Sequence, residues 1–95
     1  MQQSKLFTLL SGLEAAEFRW LHKFLKSPFY NTNEKILNLF LYIKKYYPDL
    51  DSPKLAKEIT FQYLFPKQQF QAQKMRKLMH ELATLVEDFM VAQHF

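Results

Sequence analysis

The sequence predicts an all-α fold, a compact bundle of about five helices with a long helix at its C-terminal end. Three observations support this prediction. Apolar side chains recur every three or four positions along most of the chain, which is the spacing of one helix face. No segment alternates apolar and β-branched residues with polar ones, as a half-buried strand would. The chain also contains a single glycine, which suits helices better than hairpins. At 95 residues, it is expected to form one domain.

The first two helices are predicted at residues 4–11 and 14–26. The first repeats leucines at helical spacing, at Leu6, Leu9, Leu10 and Leu13. Gly12 is expected to close this helix in the left-handed conformation. The second helix ends before Pro28, because the residue that precedes a proline avoids the α region. Its buried stripe is predicted to contain Phe18, Leu21 and Leu25.

A third helix is predicted from a cap at Asn31 to about Tyr47. Asn31 and Glu34 have the spacing of a capping box, and Pro48 stops the helix. Apolar residues cover more than half of its circumference, which is typical of a helix that is packed on several sides. We therefore expect it to be the central helix of the bundle.

The fourth helix is predicted at residues 53–64, with Ser52 as its N-cap and Pro53 in the first helical position. The fifth follows the break at Pro66 and runs from about Gln68 to Ala92. Its apolar stripe has the spacing of a coiled-coil seam, at Met75, Leu78, Leu82, Leu85 and Phe89. Core packing and an intermolecular seam that makes a homodimer are both open uses of these residues.

Composition excludes several classes of function. The chain has no cysteine, so disulfides, thiolate zinc sites and cysteine nucleophiles are impossible. One glycine cannot build the phosphate-binding loops of nucleotide enzymes or the elbow of a hydrolase. Asp49 and Asp51 begin like a calcium loop, but Lys54 and Thr60 stand where that loop needs glycine and glutamate. We predict no enzyme activity, no metal, no cofactor and no small-molecule substrate.

Neither a membrane span nor a metal-binding histidine pair is visible. The longest uninterrupted apolar run, residues 39–43, is far shorter than the roughly 20 residues that a membrane span needs. His22, His80 and His94 lack the four-residue spacing that places two imidazoles on one helix face. The absence of cysteine fits a reducing compartment, so a cytoplasmic location is expected.

Three segments carry a resemblance: FLKSPFYN at residues 24–31, YIKKYYPDLD at 42–51 and YLFP at 63–66. Together they resemble a helical region at the start of larger uncharacterised bacterial proteins. The resemblance implies that this domain is the N-terminal module of a longer protein, and it implies no activity and no site residues. The apolar ending of the chain, at Met90, Val91 and Phe95, points the same way.

The second helix carries a basic arc. Arg19, His22, Lys23 and Lys26 share one side of it, with Trp20 and Phe24 beside them. A fifth helix of 25 residues would be about 37 Å long, so its far end is expected to overhang unless it is covered within the domain. The predicted protein-binding residues are accordingly Arg19, Trp20, Lys23, Lys26, Phe89 and Met90. A solvated lysine face is the alternative interpretation of the basic arc.

The fifth helix has an unusual charge order, with cations in its first half and acids in its second. This order opposes the helix dipole, so helix stability does not explain it. Helices four and five also have the order of a helix-turn-helix, whose second helix reads bases. The alternative function is therefore DNA binding through Gln69, Gln73, Lys74, Arg76 and Lys77. The preferred prediction is a protein-interaction or scaffolding module that binds a protein partner or forms a homodimer.

Overall fold

A computed structural model describes residues 4–92 of the chain, and these residues form five α-helices and one short 3₁₀ helix without any β-strand. The all-α fold with a long last helix is confirmed. The α-helices are α1 (Lys5–Ser11), α2 (Ala15–Lys26), α3 (Glu34–Lys44), α4 (Lys57–Leu64) and α5 (Ala72–Ala92), and the 3₁₀ helix is Pro53–Leu55. Within the described residues, no helix is both long enough and apolar enough to cross a membrane.

Side-chain caps fix most of the helix starts. The hydroxyl of Ser4 accepts a hydrogen bond from the N–H of Phe7 at 3.3 Å and opens α1. Glu17 accepts from the N–H of Glu14 at 2.9 Å and opens α2. Ser52, predicted to cap a fourth helix over 53–64, caps the 3₁₀ helix Pro53–Leu55 instead, where its hydroxyl accepts from the N–H of Lys54 at 3.3 Å, and α4 starts only at Lys57. These bonds satisfy donors that the first turn of a helix leaves without a backbone partner.

Two predicted caps were wrong. α3 is capped by Asn33, whose side chain accepts from the N–H of Lys35 at 2.9 Å. Asn31 instead donates from Nδ2 to the carbonyl of Leu25 at 3.0 Å, so it closes the end of α2. Gly12 has a φ of −85° and lies in the right-handed helical region, so α1 ends without a left-handed residue.

Two helices also start or end differently from the prediction. α3 ends at Lys44, three residues before Tyr47, and the chain continues in turns. α5 starts at Ala72 and not at Gln68, because residues 66–71 form a loop. Phe70 in that loop packs edge-on against Phe61, with ring centroids 5.5 Å apart. This contact folds the loop back over α4.

The core is continuous through all five α-helices. α3 contacts α2, α4 and α5, and α5 contacts α1, α2 and α3. The predicted central position of α3 is thus shared with α5. The largest fully buried side chains are Phe18, Phe40, Phe61, Leu6, Leu10, Leu21, Leu25, Leu39, Ile43, Leu55, Met75 and Leu82. Without disulfides, this apolar packing is the main source of stability.

The apolar stripe of α5 is used inside the domain. Met75, Leu78, Leu82 and Phe89 are buried, and Leu85 is partly buried against the core. These residues therefore do not form an intermolecular seam. α5 has 21 residues, about 31 Å at 1.5 Å per residue, and the predicted overhang is reduced to its last turn, where Val91 and Ala92 are exposed. His94 and Phe95 lie outside the described residues.

Thr60 provides a test of the core. It lies in α4 with no exposed area, and its Oγ1 makes no hydrogen bond of good geometry among the described residues, where its neighbour is the hydroxyl of Tyr42, which itself donates to the carbonyl of Lys54. Thr60→Val replaces this hydroxyl with a methyl group of similar shape, so it removes an unsatisfied polar atom without opening a cavity. We expect the free energy of unfolding to rise by about 1 kcal/mol, measured by urea denaturation and circular dichroism.

Thr84→Val is the matched control for this substitution. Thr84 is exposed on α5, and its Oγ1 donates to the carbonyl of His80 at 3.1 Å. The control should change stability by less than about 0.5 kcal/mol, as exposed substitutions usually do. A clear loss of stability in Thr60→Val would contradict the expectation, because it would mean that the hydroxyl of Thr60 is bonded.

Candidate functional site

The exposed face of α2 is basic. Arg19, Lys23 and Lys26 are all exposed, and His22 is half-buried at the edge nearest α3. Among residues 4–92, none of these three cations has a hydrogen bond, an ion pair or an aromatic ring beneath it. Their charge is consequently available to a partner.

A chain of aromatic rings runs beside this basic face. The ring of Phe24 stacks on that of Tyr30, with centroids 4.3 Å apart and an interplanar angle of 21°. Phe29 meets Tyr30 edge-on at 4.9 Å. Trp20 lies one helical turn before Phe24 and therefore on the same side of α2. Trp20, Phe29 and Tyr30 are 53%, 86% and 50% exposed, which is unusual for such large apolar groups.

The ring chain is anchored in the core. Phe24 contacts Phe89 of α5 edge-on, with centroids 5.6 Å apart, and Phe89 is only 5% exposed. Phe89 therefore supports the surface from below. Its predicted contact with a partner stays a prediction, and within the domain the end of α5 packs against α2. Met90 is partly buried against the same core.

Hydrogen bonds hold the loop that carries Phe29 and Tyr30. The N–H groups of Tyr30 and Asn31 donate to the carbonyl of Ser27 at 3.1 and 3.0 Å. The side chain of Asn31 accepts from the N–H of Asn33 at 3.0 Å while it donates to Leu25. These hydrogen bonds hold Phe29 and Tyr30 in an ordered turn. A binding partner would therefore not lose energy in ordering this segment.

We call this region the aromatic–basic surface, and we define it by Trp20, Phe24, Phe29, Tyr30, Arg19 and Lys23. Lys26 lies on the same basic side of α2, about 20° from Arg19 around the helix, but two turns further along, where it lines a shallow cavity with Leu37 of α3. Sequence reasoning found Trp20 and the cations but missed Phe29 and Tyr30. A pair of aromatic residues directly after Pro28, which follows the predicted end of the second helix, is the signal that identifies them.

Other cations of the domain are already engaged by its own rings. Nζ of Lys45 lies over Tyr63 and Tyr42, 5.3 and 5.6 Å from the ring centroids. Nζ of Lys74 and of Lys35 lie over Phe65, at 4.2 and 4.9 Å. Such contacts satisfy part of the charge within the protein. The cations of α2 differ in having no such cover.

The residues predicted for DNA binding are spread over the loop before α5 and two sides of its start, where Lys74 and Lys77 line one cavity and Arg76 lines another. Gln69 lies in the loop before α5, and Gln73 is exposed in its first turn. Lys74 folds over Phe65 and donates to Oε1 of Gln68 at 2.9 Å. Arg76 lies about 160° from Lys74 around α5 and lines a different cavity, and Lys77 is exposed near Phe65.

The connection between α4 and α5 also differs from the predicted short turn. Residues 65–71 separate the two helices, which makes seven residues. A helix-turn-helix joins its helices by three or four residues. Within residues 4–92, no three His, Asp or Glu side chains are grouped closely enough to hold a metal ion.

No protein-family model matches this chain, and comparison with curated proteins and with solved structures gives no match either. The resemblance of the segments at 24–31, 42–51 and 63–66 to a bacterial N-terminal region stays an expectation. Conclusions about function consequently rest on the geometry of the domain itself.

His22 adds a pH dependence at the edge of the basic face. Burial lowers the pKa of its imidazole, and the charges of Lys44 and Lys26 lower it further. Nζ of Lys44 lies 3.5 Å from Nδ1 of His22. The unfolded chain therefore binds a proton at His22 more readily than the folded one, and this costs stability at low pH.

We expect the free energy of unfolding to rise with pH relative to that of His22→Gln. The free energy of unfolding begins to rise as the pH passes the lowered pKa of His22 in the folded state. The rise is complete above the ordinary histidine pKa of about 6.5. Urea denaturation of both proteins between pH 5 and 8 measures it. His80 and His94 are common to both proteins, so their effects cancel. A difference that does not change with pH would refute the effect.

Proposed function

We propose that the domain is a protein-interaction module whose aromatic–basic surface binds an acidic segment with apolar side chains on a partner protein. The supporting observation is the combination of three exposed aromatic rings with adjacent cations that lack partners among the described residues. Aromatic and arginine residues dominate the binding energy of most protein interfaces.

The aromatic residues supply the affinity in this proposal. Covering an exposed Phe, Trp or Leu side chain fully contributes about 1.5–3 kcal/mol. Phe29 is the most exposed ring, so its burial gives the largest change in apolar area. Because the loop is braced by Asn31, little of this energy is lost in ordering it.

The cations determine which partner fits. Two copies of the domain that met through this surface would bring Lys23 and Arg19 of one copy close to the same residues of the other, and like charges in an interface are costly. An acidic partner avoids this repulsion and is attracted over a distance of about 10 Å at moderate salt. Of the two predicted protein partners, a different, acidic protein is thus favoured over a second copy.

A displayed library of random peptides tests the proposal. Peptides selected on the wild-type domain should carry Asp or Glu next to aromatic or leucine residues. Trp20 is the sole tryptophan of the chain, so its emission should shift to shorter wavelength as a peptide covers it. Trp20→Ala and Phe29→Ala should each weaken binding about tenfold or more, measured by calorimetry.

Ile59→Ala is the matched control. Ile59 is 49% exposed on α4, outside the aromatic–basic surface, and its removal should leave peptide affinity unchanged. Lys23→Gln should weaken binding mainly at low salt. Peptides without acidic residues, or peptides that bind Trp20→Ala and wild type equally, would refute the proposal. Duplex DNA that binds at low salt, and binds more weakly when Lys74, Arg76 and Lys77 are replaced by Ala, would favour the nucleic-acid alternative instead.

A further inference from the structure

A second site lies at the opposite end of α5 from Phe89. A cavity of about 350 Å³ opens between the start of α1, the start of α4 and the first half of α5. Its floor is apolar and buried, formed by Leu6, Met79 and Ala83. Cavities that bind small molecules begin at about this size and usually combine apolar walls with a few polar groups.

The rim of this cavity is basic. Lys5, Lys57, Arg76 and His80 all line it, and no aspartate or glutamate does. Among the described residues, the side chains of Lys57, Arg76 and His80 have no hydrogen bond and no ion pair. Lys5 pairs with Glu87 at 3.3 Å, but both side chains are largely exposed, so this pair is weak.

We propose that this cavity binds a small organic anion, a carboxylate or phosphate group carried on a short apolar chain. The anionic group would accept hydrogen bonds from Arg76 and Lys57, and the chain would lie on Leu6, Met79 and Ala83. Arg76 is placed in the first half of α5, where a cation opposes the helix dipole. A bound anion would offset the charge of Arg76, whereas Lys74 and Lys77 lie outside this cavity.

This inference does not depend on the proposed protein partner. The cavity and the aromatic–basic surface share no residue. Loss of peptide binding at one site and loss of anion binding at the other are therefore separate results.

Octanoate and octyl phosphate are suitable probes, with octanol and acetate as references. Octanol has the apolar chain without the charge, and acetate has the charge without the chain. Titration followed by two-dimensional NMR should shift the signals of His80 and Ala83 with an octanoate or octyl phosphate dissociation constant below about 1 mM. The stronger of these two probes identifies the preferred anionic group. Octanol and acetate should each bind at least about tenfold more weakly.

Variants separate a specific site from general attraction to a basic protein. Lys57→Gln with Arg76→Gln should weaken binding of the anionic probes about tenfold or more. The double variant Lys23→Gln with Lys26→Gln removes the same amount of charge from α2. It should leave the affinity for the anionic probes unchanged. Ala72→Leu places a larger side chain at an exposed position of the rim, and it should weaken binding without a change in charge.

Three results would overturn the proposal. They are no binding of either anionic probe at millimolar concentration, equal binding of octanol and octanoate, and equal effects of the two double variants. Circular dichroism of each variant checks that it is folded, and Ala72→Leu keeps the test valid if the double substitution at the rim destabilises the domain.

Discussion

Burial of one apolar stripe of α5 holds the domain together. This stripe faces α1, α2 and α3 at once, and α3 in turn packs against α2 and α4, so the five α-helices share one core. The chain has no cysteine with which to link them, and its described ion pair is exposed. Both candidate sites depend on this packing, because one lies at the first half of α5 and the other is supported by its last turns.

The cations of the domain fall into two groups. Lys35, Lys45 and Lys74 rest on aromatic rings of their own chain. Lys23, Lys57 and Arg76 have no such partner among residues 4–92. Net charge alone, +4, does not distinguish these groups. The aromatic–basic surface and the rim of the cavity both draw their cations from the second group, to which Lys54, Lys67 and Lys77 also belong.

Much of the fold was predictable from the sequence, because apolar spacing determines which helix faces are buried. The helices and most of the core follow from residues such as Phe18, Leu39 and Leu82. The helix ends were less predictable. Asn31 and Asn33 are chemically identical, and only the position of the Leu25 carbonyl decides which of them caps α3. In the loop before α5, Phe70 packs against Phe61, a tertiary contact that the local sequence does not show.

The candidate sites were predictable only in part. Trp20 and Lys23 follow from the face of one helix, whereas Phe29 and Tyr30 join them through a loop. The cavity rim brings together residues from three helices, and Lys5 and Arg76 are far apart in the chain. The spacing of apolar residues within one helix does not indicate which residues of different helices come together in space.

The row of rings from Phe89 through Phe24 and Tyr30 to Phe29 connects the interior to the outermost loop. Because neighbouring rings in this row are in contact, each limits the rotation of the next. The exposed ring of Phe29 is therefore held in place through its neighbours by the buried ring of Phe89. A smaller residue in place of Phe89 would remove the support beneath Phe24 and so loosen Tyr30 and Phe29 at the surface. Changes in the interior would thus alter the order of this surface and leave its exposed residues as they are.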